Sequence, residues 1–263
     1  MIESEQLKHR SQALMRSQEL TRAALPYLEA SQYISTGRKD YEKIAARKKQ
    51  ILKFLSASED DWQDWKWHLR NRIRDSQILS KILGLSDLER RKIERVGKFY
   101  RWAISPYYLS LIDADYSKCP IYKQAVPDLR ELSRGGLEDP MNEALTSPAP
   151  CVTRRYPDRM IINVTNQCAM YCRHCQRRRN IGEMDKHAAA GDISQALSFA
   201  AAHKEIRDVL ITGGDALLLK ESVLERILGR LHRMRHVEIK RIGTRVPVTL
   251  PQRVTPRLCS ILK

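Results

Sequence analysis

Apolar residues recur at helical spacing through roughly the first 145 residues of the chain. Ser86-Asp-Leu-Glu89 has the form of a capping box, in which a Ser and a Glu three positions apart start a helix. Trp62, Trp65 and Leu69 fall at helical spacing and predict a packed helix face. The Lys- and Arg-rich run over residues 38–53 predicts a solvated helix face. We therefore predict a mainly helical N-terminal region over residues 1–145.

A proline-rich break at residues 146–150 separates this region from a different pattern. Beyond it, short apolar runs alternate with polar or glycine-rich loops and helical segments. The predicted strands lie at residues 160–164, 208–212 and 237–242, and the predicted helices at 192–203, 221–234 and 256 to the end. Repeated strand–loop–helix order favours parallel strands with crossover helices. The predicted fold class is α/β. Three such units do not close a barrel, and we expect a fragment because the pattern stops inside a helix.

The composition is that of a globular protein with a real core. The chain has 263 residues, of which 42% are apolar, so a collagen-like, low-complexity or wholly disordered chain is excluded. It contains no run of 18 apolar residues, which argues against a membrane-spanning helix. The first residues lack the basic-then-apolar order of a secretory signal. We expect a cytoplasmic location and no membrane partner.

The charge balance is strongly basic, with 47 Lys and Arg against 31 Asp and Glu and a net charge of +16. Such a surplus suits either a nucleic-acid surface or a cavity for small anions. Residues 151–182 carry seven arginines, no lysine and one acid, Asp158. Arginine alone suits fixed bidentate contacts better than a diffuse field, which favours the cavity. We do not expect nucleic acid as the partner.

Three of the six cysteines, Cys168, Cys172 and Cys175, lie within eight residues directly after the first predicted strand. In a reducing compartment such a cluster indicates metal ligation rather than a disulfide. Structural zinc would need a fourth ligand, and His174 lies awkwardly between two proposed ligands. Iron–sulfur cubanes usually take four thiolates, so three would leave one iron open to a substrate or cofactor. Zinc, or a chance cluster of buried thiols, remains an alternative.

The spacing Cys168-x3-Cys172-x2-Cys175 after a strand resembles the motif of the radical S-adenosylmethionine (SAM) superfamily. The flanking segments 155–159, 164–175 and 177–179 resemble the lysine/glutamate 2,3-aminomutase family more narrowly. The resemblance extends over roughly residues 60–263, through the segments 64–67, 104–112, 211–218 and 243–248. Within the family, the segment 176–183 is more similar to the glutamate enzymes, because the lysine enzymes tend to carry Thr where this chain has Gln176.

This resemblance implies that residues 146–263 form the N-terminal part of a radical-SAM (βα) barrel, incomplete at its C-terminus. It also implies a 4Fe–4S cluster on the three cysteines, with SAM chelated at the fourth iron, and pyridoxal 5′-phosphate (PLP) as a second cofactor. The implied reaction moves the amino group of L-glutamate from C2 to C3. The implied partners are the amino acid substrate, an electron donor such as flavodoxin or ferredoxin, and further copies of the chain in a homo-oligomer.

The family's binding residues carry over only onto matching positions. Loop residues after the second and third predicted strands would contact SAM, and these are Gly213, Gly214, Asp215, Thr244 and Arg245. Residues before the first predicted strand would bind the PLP phosphate, and these are Arg155, Tyr156 and Arg159. Two arginines around a tyrosine suit a phosphate, since guanidinium pairs with its oxygens in a bidentate fork. Arg177 would bind the substrate α-carboxylate.

The family attaches PLP through a lysine in the C-terminal part of the barrel or just after it. Neither Lys220 nor Lys240 is assigned that role here, so the Schiff-base lysine is not predicted and the chain alone is expected not to complete the reaction. A lysine 2,3-aminomutase or another radical-SAM enzyme is the first alternative. A basic RNA-binding protein with a zinc site is the second.

Overall fold

The computed structural model describes residues 2–34, 38–133 and 135–263. The chain forms two compact units, Met1–Lys43 and Ile44–Lys263. The first unit contains a long helix, α1 (Ile2–Tyr33). Residues 44–145, which we grouped with the N-terminal region, thus belong to the same compact unit as the strands. None of the helices in the described ranges combines the length and apolar character needed to cross a membrane.

The described residues between 41 and 146 are mainly helical. The α-helices are α2 (Tyr41–Phe54), α3 (Glu59–Gln63), α4 (Trp65–Arg70), α5 (Ser76–Leu83), α6 (Asp87–Gly97), α7 (Pro106–Ser110) and α8 (Pro120–Ala125). Short 3₁₀ turns follow at Leu129–Leu132 and Glu143–Thr146. The predicted capping box starts α6, because Ser86 Oγ accepts from the Glu89 amide and the Glu89 carboxylate accepts from the Ser86 amide.

The predicted tryptophan face is wrong in one respect, because the helix breaks at Asp64. The Asp64 carboxylate accepts hydrogen bonds from the Lys66 and Trp67 amides at 2.8 and 3.1 Å and starts a new helix, α4. Trp62 therefore packs in the core of the helical half of the second unit, residues 44–146, whereas Leu69 packs in the core beneath the sheet. A side chain that caps a new helix overrides apolar spacing that would otherwise continue the old one.

The sheet contains β1 (Val152–Tyr156), β2 (Arg159–Thr165), β3 (Asp208–Gly213) and β4 (Ile239–Ile242), in that spatial order. β2, β3 and β4 are parallel, with Arg159 beside Asp208 and Asp208 beside Ile239. The crossover helices are α9 (Ala190–Ala202) and α10 (Glu221–His232), and α11 (Val246–Thr249) and α12 (Pro256–Leu262) follow β4. The α/β class and the three parallel strands are confirmed.

β1 was not predicted. It is antiparallel to β2 and carries the polar stretch Thr-Arg-Arg, so it lacks the apolar run by which the other strands were found. Its pairing with β2 places the β1–β2 turn at the amino end of the parallel strands. The loops that follow β2, β3 and β4 emerge at the opposite, carboxyl edge. Ligand sites of open α/β sheets lie at that edge.

Buried aliphatic side chains of the strands pack against those of the covering helices and hold the sheet in place. Val164 and Ile211 on the strands are fully buried, as are Ala196 on α9 and Leu224 on α10. Each buried Val, Leu or Ile contributes on the order of 2 kcal/mol relative to exposure. The strands are therefore a rigid support for the loops at their carboxyl edge.

We predict that stability falls as pH decreases, through one buried histidine. His68 is fully buried, its Nε2 donates to the Trp62 carbonyl at 2.8 Å, and its Nδ1 has no hydrogen-bond partner in the described structure. Burial lowers the pKa of His68 from 6.5 to about 4, although the Trp62 carbonyl opposes that shift. Because the unfolded chain binds the proton first, up to roughly 3 kcal/mol of stability is lost between these pH values.

Urea denaturation at a series of pH values measures this loss. His68→Phe is expected to flatten the pH dependence between about pH 6.5 and 4. His9→Phe, at an exposed position of α1, is the matched control and is expected to leave it unchanged. Identical pH profiles for the wild type and His68→Phe would contradict the assignment.

Candidate functional site

The three clustered cysteines lie in the loop after β2 and line a cavity of about 210 Å³. Residues at the end of β3 and in the loops after β3 and β4 line the same cavity. They are Gly213, Gly214, Asp215, Thr244 and Arg245, and Arg177 joins them from beyond the cysteines. The structure therefore brings together the predicted cluster ligands, the predicted SAM residues and the predicted carboxylate-binding arginine.

Two glycines let the loops after β2 and β3 approach each other closely. Gly213 has φ +125°, and a Cβ there would lie 2.3 Å from the Thr165 carbonyl oxygen. A Cβ on Gly214 would lie 2.4 Å from the Gln167 carbonyl oxygen. The Gly214 and Asp215 amides donate to the Thr165 and Gln167 carbonyls at 2.5 and 2.8 Å. The glycines thus serve backbone packing beside the cysteines, and direct contact with SAM stays a prediction.

Asp215 holds the loop after β4 against the loop after β3. Its carboxylate is buried and accepts hydrogen bonds from the Thr244 hydroxyl at 2.6 Å and the Arg245 amide at 2.7 Å. Burial raises the pKa of Asp215, while the hydrogen bonds from Thr244 and Arg245 oppose that shift. Because its oxygens are already engaged, Asp215 positions Thr244 and Arg245 at the cavity. Its predicted contact with SAM stays a prediction.

The thiols share a partly buried and electrostatically coupled environment. Burial raises the pKa of Cys168 well above its usual value, and the nearby Asp215, Cys172 and Cys175 add to the shift. Burial also raises the pKa of Cys175. Arg245 Nη1 donates to Cys172 Sγ at 2.6 Å. A metal that binds thiolates here must displace protons, as metal binding to cysteine generally does.

The donor set fits an iron–sulfur cluster better than a single ion. Within the described ranges, no three His, Cys, Asp or Glu side chains converge on one metal-ion position. A tetrahedral zinc ion needs that convergence, whereas each cysteine of a cubane binds a different iron. His174 is exposed and does not line the cavity. Three cysteines that line one cavity without converging on a single ion position therefore fit a cubane that keeps one iron open.

The arginine run is paired with acids of the same chain. Arg177 forms a two-point ion pair with the buried carboxylate of Glu143, with distances of 2.8 to 3.1 Å. Arg173 and Arg178 pair with Glu131, and Arg179 pairs with Asp139 and Glu143. We predicted a cavity whose arginines bind anions from solution. This prediction is corrected, because these arginines are paired with carboxylates of the same chain. Sequence analysis did not identify these acids as partners of the arginines. The only indication in the sequence is that acidic residues recur over residues 131–143.

The residues predicted for the PLP phosphate lie elsewhere. Arg155, Tyr156 and Arg159 surround the β1–β2 turn at the amino end of β2 and are exposed. The Arg159 guanidinium lies 5.5 Å from the Tyr156 ring centroid and 3.5 Å from the Asp158 carboxylate. These three residues do not line the cysteine cavity. Their phosphate-binding role stays a prediction. Gln176 is exposed and does not line the cavity either.

Fold and site together define a class of α/β protein with a three-cysteine loop at the carboxyl edge of parallel strands. No protein-family model matches the chain. The chain is 50% identical to glutamate 2,3-aminomutase of Clostridioides difficile over 252 residues, 95% of this chain and 60% of that protein. It is 45% identical to L-lysine 2,3-aminomutase of Clostridium subterminale over 212 residues, 80% of this chain and 51% of that protein.

A third relative, L-lysine 2,3-aminomutase of Bacillus subtilis, is 42% identical over 217 residues, 82% of this chain and 46% of that protein. Over most of its length the chain is thus similar to glutamate and lysine 2,3-aminomutases. It spans about half to three fifths of the length of these relatives.

We predict that Gly214→Ala destabilises the protein by roughly 2 kcal/mol or more, because the added methyl would overlap the Gln167 carbonyl. Urea denaturation measures the change. Gly191→Ala is the matched control, since a Cβ there meets nothing within 4 Å at the start of α9, and it is expected to be neutral or slightly stabilising. Equal stabilities of the two variants would show that the close approach of the loops is not required.

Proposed function

We propose that this chain forms the part of a radical-SAM, PLP-dependent 2,3-aminomutase that holds the 4Fe–4S cluster and SAM. The observation that carries the proposal is the single cavity shared by Cys168, Cys172 and Cys175 with the loops after β3 and β4. The 50% sequence identity to a glutamate 2,3-aminomutase over 95% of this chain supports the proposal. The strands described here would be the first parallel strands of a (βα) barrel.

Each group of residues has a proposed task in that site. The three thiolates hold the cluster, and Asp215 positions Thr244 and Arg245 beside it to bind polar groups of SAM. When bound, the cluster and SAM would supply a carbon-centred radical, and PLP would supply the carbonyl carbon that carries the nitrogen as it moves from C2 to C3 of the substrate. Arg177 lines the cavity and binds the substrate α-carboxylate. Arg155, Tyr156 and Arg159 bind the PLP phosphate.

The proposed substrate is L-glutamate, whose amino group moves from C2 to C3. The relative named for glutamate shares 50% identity with the chain, against 45% for the relative from Clostridium subterminale that is named for lysine. This difference is small, so lysine is the second candidate substrate. An RNA-binding protein with a zinc site is not favoured, because the described residues offer no convergent ion site. The proposed partners are a flavodoxin- or ferredoxin-like electron donor and further copies of the chain, in the cytoplasm.

We predict that Cys168→Ala, Cys172→Ala and Cys175→Ala each abolish cluster binding, because every thiolate holds a different iron. Iron analysis and visible absorption after anaerobic reconstitution measure the effect. Cys259→Ala is a control at an exposed position, and Cys119→Ala is a control at a buried position. Both variants are expected to keep the wild-type iron content. Equal iron loss in all five variants would indicate a folding effect, and a colourless wild-type protein would overturn the proposed function.

Substrate choice is tested on the whole protein to which this chain belongs, reconstituted and supplied with SAM, PLP and reductant. We predict that it forms β-glutamate from L-glutamate at least about tenfold faster than β-lysine from L-lysine, a difference of about 1.4 kcal/mol in activation free energy. Chromatography of the two products measures the rates. Preferential β-lysine formation would assign the protein to the alternative substrate while leaving the cluster proposal intact.

A further inference from the structure

We infer that Asp185 is a positioning residue that holds the cysteine loop, residues 166–175, in the arrangement that binds the cluster. The inference rests on the proposed cluster and goes beyond its ligands to a carboxylate that does not line the cavity. Asp185 lies ten residues after Cys175, in the segment that leads from the cysteine loop towards α9. Its contacts reach the loop and the helical half of the second unit.

Four donors converge on the Asp185 carboxylate. Oδ1 accepts from Arg101 Nη2 and from the Tyr171 hydroxyl, each at 2.6 Å. Oδ2 accepts from Gln167 Nε2 at 2.9 Å and from Arg72 Nη2. Gln167 immediately precedes Cys168, and Tyr171 immediately precedes Cys172. One carboxylate therefore fixes the chain just before two of the three proposed ligands.

Arg72 extends this network to the backbone of the first cysteine. Its side chain is 1% exposed, and Nη1 donates to the Cys168 carbonyl at 2.6 Å. Its Nε donates to the Leu69 carbonyl at 3.0 Å, which ties the guanidinium to the end of α4. Cys168 is thus anchored to a helix through a buried arginine. Asp185 supplies the countercharge for that arginine.

The Asp185 segment is itself tied to the beginning of the cysteine loop. Asn166 Nδ2 donates to the Ile181 and Met184 carbonyls at 2.7 and 3.0 Å. Asn166 Oδ1 accepts from the Lys186 amide at 2.6 Å. These contacts hold the segment in place from the end of β2. The Asp185 carboxylate therefore reaches the donors from a fixed position rather than from a free loop.

Removal of the negative charge would leave Arg72 and Arg101 facing one site without a counter-ion. A buried cation without a partner is strongly unfavourable, so Arg72 would turn towards solvent and release the Cys168 carbonyl. Gln167 and Tyr171 would lose their shared acceptor in the same event. The sheet and its covering helices make none of these four hydrogen bonds. The expected damage is consequently local to the cysteine loop.

Asp185→Asn tests the inference, because it keeps the size of the side chain and removes its charge. We expect the anaerobically reconstituted variant to lose iron to a chelator at least about tenfold faster than the wild type. In the iron-free protein, amides of residues 166–175 should exchange hydrogen at least about tenfold faster, while amides of β2 and β3 keep their wild-type rates. The second readout requires neither the cluster nor activity.

Asp158→Asn is the matched control. Asp158 also pairs with two arginines, Arg159 and Arg207, but at the amino end of the sheet, where its loss should alter neither readout. If Asp185→Asn does not fold, Tyr171→Phe replaces it in the same two measurements. This variant removes one hydrogen-bond donor to Asp185 and leaves both ion pairs, so we expect the same direction of change. Wild-type iron retention and wild-type exchange of residues 166–175 in the folded variant would overturn the inference. A wild-type protein that binds no iron would instead overturn the proposed function.

Discussion

The approach of two backbone segments at the carboxyl edge of the sheet is the constraint on which the rest of the site depends. The amides of Gly214 and Asp215 donate to carbonyls of Thr165 and Gln167, and a side chain at Gly213 or Gly214 would overlap those carbonyls. β2 and β3 are parallel and, after a register shift between Asn163 and Thr165, still pair Thr165 with Gly213, so the loops leave the sheet side by side. Asp215 directly follows Gly214, and Cys168 directly follows Gln167, so the contact brings Asp215 close to the first cysteine. The cavity follows from that juxtaposition.

The basic composition has a different meaning in the folded protein from the one that its charge count suggests. Four arginines close to the cysteines are paired with carboxylates from residues 131–143, so most of the local charge is neutralised within the chain. The Arg173–Glu131 pair is nearly buried, with side-chain exposures of 7% and 10%. Such pairs bring a segment of the helical half onto the loop that follows β2. The arginines near the cysteines thus order the site as well as offering positive charge to a substrate.

Much of the fold was predictable from the sequence, and the reasons differ between elements. β2 and β3 carry buried apolar residues that pack in the core beneath the sheet, which is why their short apolar runs were found. β1 was not predicted because its Thr-Arg-Arg stretch is polar. The helix break at Asp64 was not predicted because a capping carboxylate interrupts apolar spacing that is otherwise continuous. The cysteines and the loops after β3 and β4 could be predicted to meet, since the carboxyl ends of parallel strands share an edge. The contacts of Glu131, Glu143 and Asp185 with arginines near the cysteines could not be predicted, because ion pairs between distant segments leave no local pattern in the sequence.

Two aspartates beside the cysteines show how the same side chain serves different physical tasks. Asp215 is buried among a hydroxyl and backbone amides, and burial raises its pKa. For Asp185, burial also acts to raise the pKa, but the hydrogen bonds from Arg72 and Tyr171 outweigh it and hold the pKa well below its usual range. Asp215 therefore joins loops of one sheet edge through neutral donors, whereas Asp185 joins a loop to helices through charge. Neutral hydrogen bonds suffice where the strands already set the spacing. A countercharge is required where a buried arginine bridges two separate parts of the unit.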